Sequence, residues 1–195
     1  SFLNFAVFVH AYVLVYIMSQ QSETTCSVYT KHMSRLVVIA HNIRSTHNIG
    51  SLFRSCDGFG VDELILSGYT PYPTVQNDPR LPHIHQKITR DIHKTALGAE
   101  QTVAFRRTET PPLEQLKADG YRLVALEQYS TSTALASYRQ SRDIALLLGE
   151  EVAGITSDLL TACDDIVEIP MKGQKESFNV SVAAAIALYH LVYMR

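Results

Sequence analysis

Two runs, Leu36–Ala40 (LVVIA) and Ile144–Leu148 (IALLL), contain no polar side chain at all. A strand points successive side chains to opposite faces, so neither face of such a run can be left to water. The simplest structure that covers both faces is a parallel sheet with helices above and below it. Glu63–Leu66, Arg122–Leu126 and Ile166–Ile169 read as further short strands, and Ile49–Phe59 carries apolar residues at helical spacing. Ile88–Leu97 and Pro112–Ala118 read as helices, the second stopped by Gly120, and Asn179–Met194 reads as a long last helix. The fold class expected is α/β, a mostly parallel sheet covered by helices on both faces. Periodicity by itself leads to a Rossmann-like sheet.

A chain of 195 residues has room for one ordinary domain with a substantial core. Its net charge of −2 argues against gripping nucleic acid through bulk positive charge, so any such contact has to be local. Cys26, Cys56 and Cys163 are odd in number and far apart, with no metal-ligand spacing. Neither a disulfide framework nor a metal site is expected, and the compartment expected is cytoplasmic. Residues 34–195 hold the recognisable domain. Residues 1–33 are different: Phe2–Met18 is nearly all apolar, at the short end of a bilayer span, and Ser22–Lys31 is a polar linker. Three readings stand for this segment: a mis-started or upstream-extended reading frame, a membrane or targeting segment, or an element of the domain.

The run Ile166–Ala187 (IVEIPMKGQKESFNVSVAAAIA) passes from an apolar strand through Pro170 and Gly173 into an alanine-rich helix. Ser177 and Asn179 are both suited to cap that helix, and a polar loop between buried elements suits a small-molecule site. Two upstream runs accompany it, Asn42–Val61 (NIRSTHNIGSLFRSCDGFGV) and Leu146–Ile155 (LLLGEEVAGI). No GxGxxG follows a strand, so a dinucleotide cradle is unsupported.

Together the three runs closely resemble the SpoU/TrmH branch of the SPOUT RNA methyltransferases. Asn48, Gly50 and Arg54 match the first motif; Gly149, Glu151 and Gly154 match the second. The third runs from Ile169 to Ser181, with Phe178 in place of the usual Leu. The resemblance implies a C-terminal trefoil knot and an S-adenosylmethionine-dependent enzyme that methylates a ribose 2′-hydroxyl of tRNA or rRNA. It also implies a homodimer with a composite active site, and no metal. Leu126, Gly149, Ile169, Met171, Ser177 and Phe178 would surround the cofactor.

Arg54, Asn48, Glu151, Ser177 and Asn179 are the residues the resemblance assigns to catalysis. The resemblance leans towards Arg54 as general base, which would need an unusual environment because arginine is nearly always protonated. Clamping a phosphate and stabilising a developing alkoxide is the more conservative role, and both readings stand. Asn48 and Asn179 offer amides to fix Arg54 or the ribose, or simply to cap helices. Glu151 is expected to hold the loop geometry, and Ser177 to orient substrate or cap the last helix. Substrate contact is expected along Arg80, Lys87, Arg90, Lys94, Arg106 and Arg107 with His83, His85 and His93, and at Tyr69, Tyr72 and Pro73. Two alternatives are a non-catalytic RNA-binding or ribosome-assembly protein on the same fold, and an unrelated nucleotide-binding α/β enzyme. The second would be expected to carry a Gly-rich phosphate loop or a Ser/His/Asp set, and this sequence has neither.

Overall fold

A computed structural model of the chain describes residues 34–194, residue 141 excepted. The three readings for residues 1–33 therefore lie outside the described residues. In chain order the strands are β1 (Leu36–His41), β2 (Glu63–Ser67), β3 (Phe105–Thr108), β4 (Arg122–Leu126), β5 (Thr133–Ala134), β6 (Ile144–Leu148) and β7 (Asp165–Glu168). The helices are α1 (Thr46–Phe59), α2 (Pro82–Ala96), α3 (Ala99–Thr102), α4 (Leu113–Ala118), α5 (Ser157–Ala162) and α6 (Val180–Tyr193). The strands form one sheet in the order β3-β2-β1-β6-β4-β7-β5, and every ladder is parallel.

Strand alternation divides the core in two. Val38, Ala40, Leu64, Leu66, Leu146 and Leu148 pack with Leu52 and Phe53 of α1, Ile92 of α2 and Leu188 of α6. Val37, Ile39, Ile65, Ala145 and Leu147 turn the other way, against Leu113 and Leu116 of α4 and Leu160 of α5. Both faces of the sheet are thus covered, as the wholly apolar runs demand.

Several boundaries differ from the sequence expectation, each for a local reason. α1 starts at Thr46, three residues early, because the Ser45 hydroxyl oxygen accepts the Asn48 N–H (3.2 Å) and caps it. α2 starts six residues before Ile88: Pro82 occupies the first turn, where its missing N–H costs nothing. β3, β5, α3 and α5 have no counterpart in the sequence reading, and all are short. β3 and β5 are the two edges of the sheet, where the apolar signal is weakest.

This topology decides where loops gather. Because all strands are parallel, their carboxyl ends share one edge. In addition, β7 lies between β4 and β5, pairing with both. The 127–132 connection that leads from β4 to β5 therefore has to cross β7.

Gly50 lies where α1 meets α2. A Cβ there would come within 2.2 Å of the Ile92 carbonyl oxygen and 2.1 Å of Thr95 Oγ1. Alanine is the better helix former by roughly 1 kcal/mol, but a backbone carbonyl can yield only if the helices separate. Gly50→Ala is expected to lower the unfolding free energy by about 1–3 kcal/mol in urea denaturation, as overpacking does.

Candidate active site

At the carboxyl edge of the sheet, Gly149 follows β6 directly and is buried. The turn it opens is closed by Glu150 N–H donating to Gly154 O (3.2 Å) and Gly154 N–H donating to Glu150 O (3.0 Å). A Cβ on Gly149 would lie 2.5 Å from the Gly154 carbonyl carbon. Gly154 has φ +67°, and a Cβ there would lie 2.3 Å from Glu127 Oε2. Both glycines are fixed by lack of space as well as by the turn itself.

The turn aims Glu151 at the start of α1. Its carboxylate accepts the Arg44 N–H (3.2 Å), the Ser45 N–H (3.3 Å) and Asn48 Nδ2 (2.9 Å). Burial pushes the Glu151 carboxyl up, but these donors outweigh it, and its pKa falls below the ordinary 4.5. Asn48 Oδ1 in turn accepts Asn179 Nδ2 (3.1 Å). Asn179 caps α6, its Oδ1 accepting the Ser181 N–H (3.0 Å) and the Ser181 hydroxyl (2.7 Å). One residue from each of the three motifs is joined in a single hydrogen-bonded cluster.

Beside the cluster is a cavity of about 360 Å³. Leu126, Gly149, Ile169, Ser177, Phe178 and Asn179 line it, together with the carboxylates Glu127, Glu150, Glu151 and Glu168. Of the six expected cofactor residues, Met171 alone is not in the lining. Ser177 is exposed and leaves the capping of α6 to Asn179. Arg54 is not brought to this cavity within the chain. It stands about 9 Å further along α1 than Asn48; its side chain is exposed, with no hydrogen bond or ion pair among the described residues. Asn48 gives its amide to Glu151 and Asn179, so it does not fix Arg54.

Glu127, Glu150 and Glu168 are site residues that the sequence reading did not single out. The available signal was their place at the carboxyl ends of β4, β6 and β7. Glu127 follows β4 at once, and its Oε2 accepts the Ile155 N–H (2.9 Å), tying the glycine turn to that strand.

The expected basic stripe is largely neutralised by carboxylates. Arg80 is spent on Asp78 and on the Tyr72 and Pro73 carbonyls. Lys94 pairs with Asp91, Arg106 with Glu63, Arg107 with Glu109 and His93 with Glu100. Lys87 and Arg90 keep no hydrogen bond or ion pair among the described residues. Tyr72 is buried beneath the Arg80 guanidinium, 3.6 Å from its ring centre, so it cannot stack on a base. Tyr69 is exposed.

The family model described as SpoU rRNA Methylase matches residues 35–189. The chain belongs to this family. It is 31% identical over 159 residues to the tRNA (guanosine(18)-2'-O)-methyltransferase TARBP1 of Mus musculus, covering 82% of this chain and 9% of that protein. To the 23S rRNA (guanosine-2'-O-)-methyltransferase RlmB of Vibrio vulnificus it is 29% identical over 170 residues, covering 86% and 63%. The chain thus spans less than two thirds of either relative. Among solved structures, the TrmH/SpoU tRNA modifying enzyme of A. aeolicus shares the fold, with a TM-score of 0.69 at 24% identity over 92% of this chain and 84% of that one. The SpoU methyltransferase AviRb from Streptomyces viridochromogenes, in complex with AdoMet, gives a TM-score of 0.66 at 27% identity, covering 87% and 64%.

The Glu151 carboxyl has a lower pKa folded than unfolded. Its contribution to stability is therefore complete above the ordinary value and lost as pH falls through the folded one. Glu151→Gln is expected to cost about 1 kcal/mol near pH 7, a figure already reduced for solvent screening at this half-open position. The gap between variant and wild type should close on acidification, read by urea unfolding at a series of pH values.

Proposed function

We propose that this chain is an S-adenosylmethionine-dependent RNA methyltransferase that modifies a ribose 2′-hydroxyl of tRNA or rRNA in the cytoplasm. The observation that carries the reading is the Glu151–Asn48–Asn179 cluster beside an acidic cavity at the strand ends. The cavity fits the cofactor in chemistry. Leu126, Ile169 and Phe178 are apolar walls for an adenosine, and Gly149 borders the cavity at a strand end with no side chain in the way. The four carboxylates match a ligand that is cationic at sulfur and at its amino group. Met171, one residue beyond Pro170, completes the wall in this reading. When bound, S-adenosylmethionine supplies an electrophilic methyl group.

The residues of the chain then have distinct tasks. Asn48, Glu151 and Asn179 hold the three loops in fixed register, which keeps the cavity preorganised. Ser177 orients the ribose. Arg54 stabilises the negative charge that grows on the 2′-oxygen as its proton passes to water; the oxygen would take the methyl group, and the sulfur would keep the electron pair of the broken S–CH3 bond.

Arg54 does this, we propose, from a second copy. Val182, Ile186, Tyr189 and Tyr193 form an exposed apolar stripe along α6. Ser51 of α1 shares a groove with Val182, Ile186 and Tyr189, and Arg54 is the next turn of α1 beyond Ser51. A homodimer packed through α6 covers the stripe and brings each Arg54 towards the partner's cavity. A C-terminal trefoil knot belongs to the same reading, supported by the position of β7 between β4 and β5.

Nucleoside mass spectrometry after incubating tRNA and rRNA with labelled cofactor tests the activity. A 2′-O-methylated nucleoside is expected; labelled nucleosides in neither RNA would overturn the proposal. Arg54→Ala is expected to lower kcat by about 100-fold or more, the scale of losing one transition-state donor, with cofactor affinity by calorimetry retained. A parental rate would sink the role given to Arg54. Ile186→Glu is expected to yield monomers by light scattering and to abolish methyl transfer together with dimerisation.

A further inference from the structure

The loop after β1 is built more firmly than capping α1 requires. Asn42 has φ +58°, its N–H donates to Ser67 O (3.1 Å) and its Oδ1 accepts the Tyr69 N–H (3.3 Å). Ile43 N–H donates to Thr70 Oγ1 (3.1 Å), which donates to Ala40 O (3.1 Å). Segments 42–44 and 67–70 are thereby locked to each other, and Glu151 locks 44 and 45 to the glycine turn. The side chains this frame presents are Arg44 and Tyr69. The Arg44 guanidinium pairs with the Glu150 carboxylate of the cavity lining, and its Cζ is 5.9 Å from the Tyr69 ring centre. Glu150 is 9% exposed in its side chain while Arg44 is 69% exposed, so the cation faces out from the rim of the cavity. Hydrogen bonding with Tyr69 and the charge of Glu150 both raise the Arg44 pKa.

We infer that Arg44 and Tyr69 are the RNA-holding pair at the cavity mouth: Arg44 takes a backbone phosphate flanking the target nucleotide, and Tyr69 stacks on a neighbouring base. The inference rests on the methyltransferase function proposed for this site and names side chains that engage its substrate. The guanidinium is exposed while the Glu150 side chain is largely buried, so a phosphate can meet Arg44 from the solvent side without that carboxylate losing its partner, and it offers the guanidinium two parallel hydrogen bonds. Tyr69 is 55% exposed with its backbone tied down, so its ring is presented at little entropic cost. Sequence proximity alone favoured the 80–107 stripe; Arg44, though also paired, is the cation whose partner carboxylate lines the cavity.

A merely structural Arg44 would brace the glycine turn, and removing either member of the Arg44–Glu150 pair would then have the same effect. A phosphate-binding Arg44 predicts opposite effects, because the charge of Glu150 opposes the phosphate. The test is fluorescence anisotropy of the full chain with a labelled single-stranded RNA of mixed sequence across a range of salt concentrations. Methyl transfer by the wild type into tRNA and rRNA is measured alongside. Arg44→Ala is expected to weaken RNA binding about 10-fold and to reduce the salt slope by about 0.7, the share of one phosphate contact on a single strand. Arg44→Lys should restore the slope, and Glu150→Gln should tighten RNA binding. Tyr69→Ala should weaken binding by about 5- to 10-fold and Tyr69→Phe should not, since the ring alone stacks. Parental affinity and slope in Arg44→Ala, or parallel weakening in Arg44→Ala and Glu150→Gln, overturns the assignment while leaving the activity standing. A wild type that neither binds RNA nor transfers methyl overturns both readings together.

Discussion

The carboxylate of Glu151 is the tie on which the site depends. In a capping box, the third residue of a helix reaches back to the N–H of the cap residue. Here the third residue is Asn48, whose shorter side chain instead donates to Glu151, and Glu151 accepts the cap N–H of Ser45 from 106 residues away. The box is completed by a distant loop. Its geometry suits an anion, because the first N–H groups of α1 have no partners within the helix and carry the positive end of its dipole. Two glycines make the arrangement possible: the 149–154 turn closes tightly enough to aim Glu151 only because neither Gly149 nor Gly154 carries a Cβ.

From that tie the cavity is built. Parallel strands deliver β4, β6 and β7 to one edge, and each leaves a carboxylate there, Glu127, Glu150 and Glu168. The relay Asn179–Asn48–Glu151 then fixes the start of α6 relative to α1 and the turn, so the loop before α6 closes the far wall with Ser177 and Phe178. An arrangement held by hydrogen bonds among loops rooted in buried elements is preorganised.

The central strands were legible because they are apolar on both faces, a pattern that few other structures satisfy. β3 was not legible: its sequence, FRRT, is that of an edge strand whose arginines pair with Glu63 and Glu109. The start of α2 was obscured because its first turn, Pro82–His85, is largely solvent-facing, Ile84 included, and gives no apolar period. The three motifs were legible as local patterns, and the fold brings one residue of each into a single cluster. That Asn48 bonds Glu151 and Asn179, at separations of 103 and 131 residues, is invisible to local spacing. Gly50 misleads in a different way: it sits inside the first motif, yet its constraint is the crossing of α1 and α2. The pairing of the basic stripe was not legible, because a count of cations along the sequence omits partners outside the window, Glu63 and Glu109 among them.

A chain of net charge −2 with an acidic cavity is an unpromising partner for a polyanion, and the proposed function has to meet that objection. The distribution of charge does so. Carboxylates occupy the interior of the cavity, where a cationic cofactor is to sit and a phosphate is not. Arg44 stands on the rim with Tyr69, and Arg54 lies outside it on the exposed face of α1. Phosphates held at the rim are kept a side chain's length from the acidic interior, while the flexible ribose reaches inward. Along α2 and β3, Lys94, Arg106 and Arg107 are paired with carboxylates, whereas Arg44 is the cation whose partner lines the cavity itself. Inside-negative and rim-positive order of this kind sorts two oppositely charged substrates into adjacent places, which a uniformly basic surface would not do.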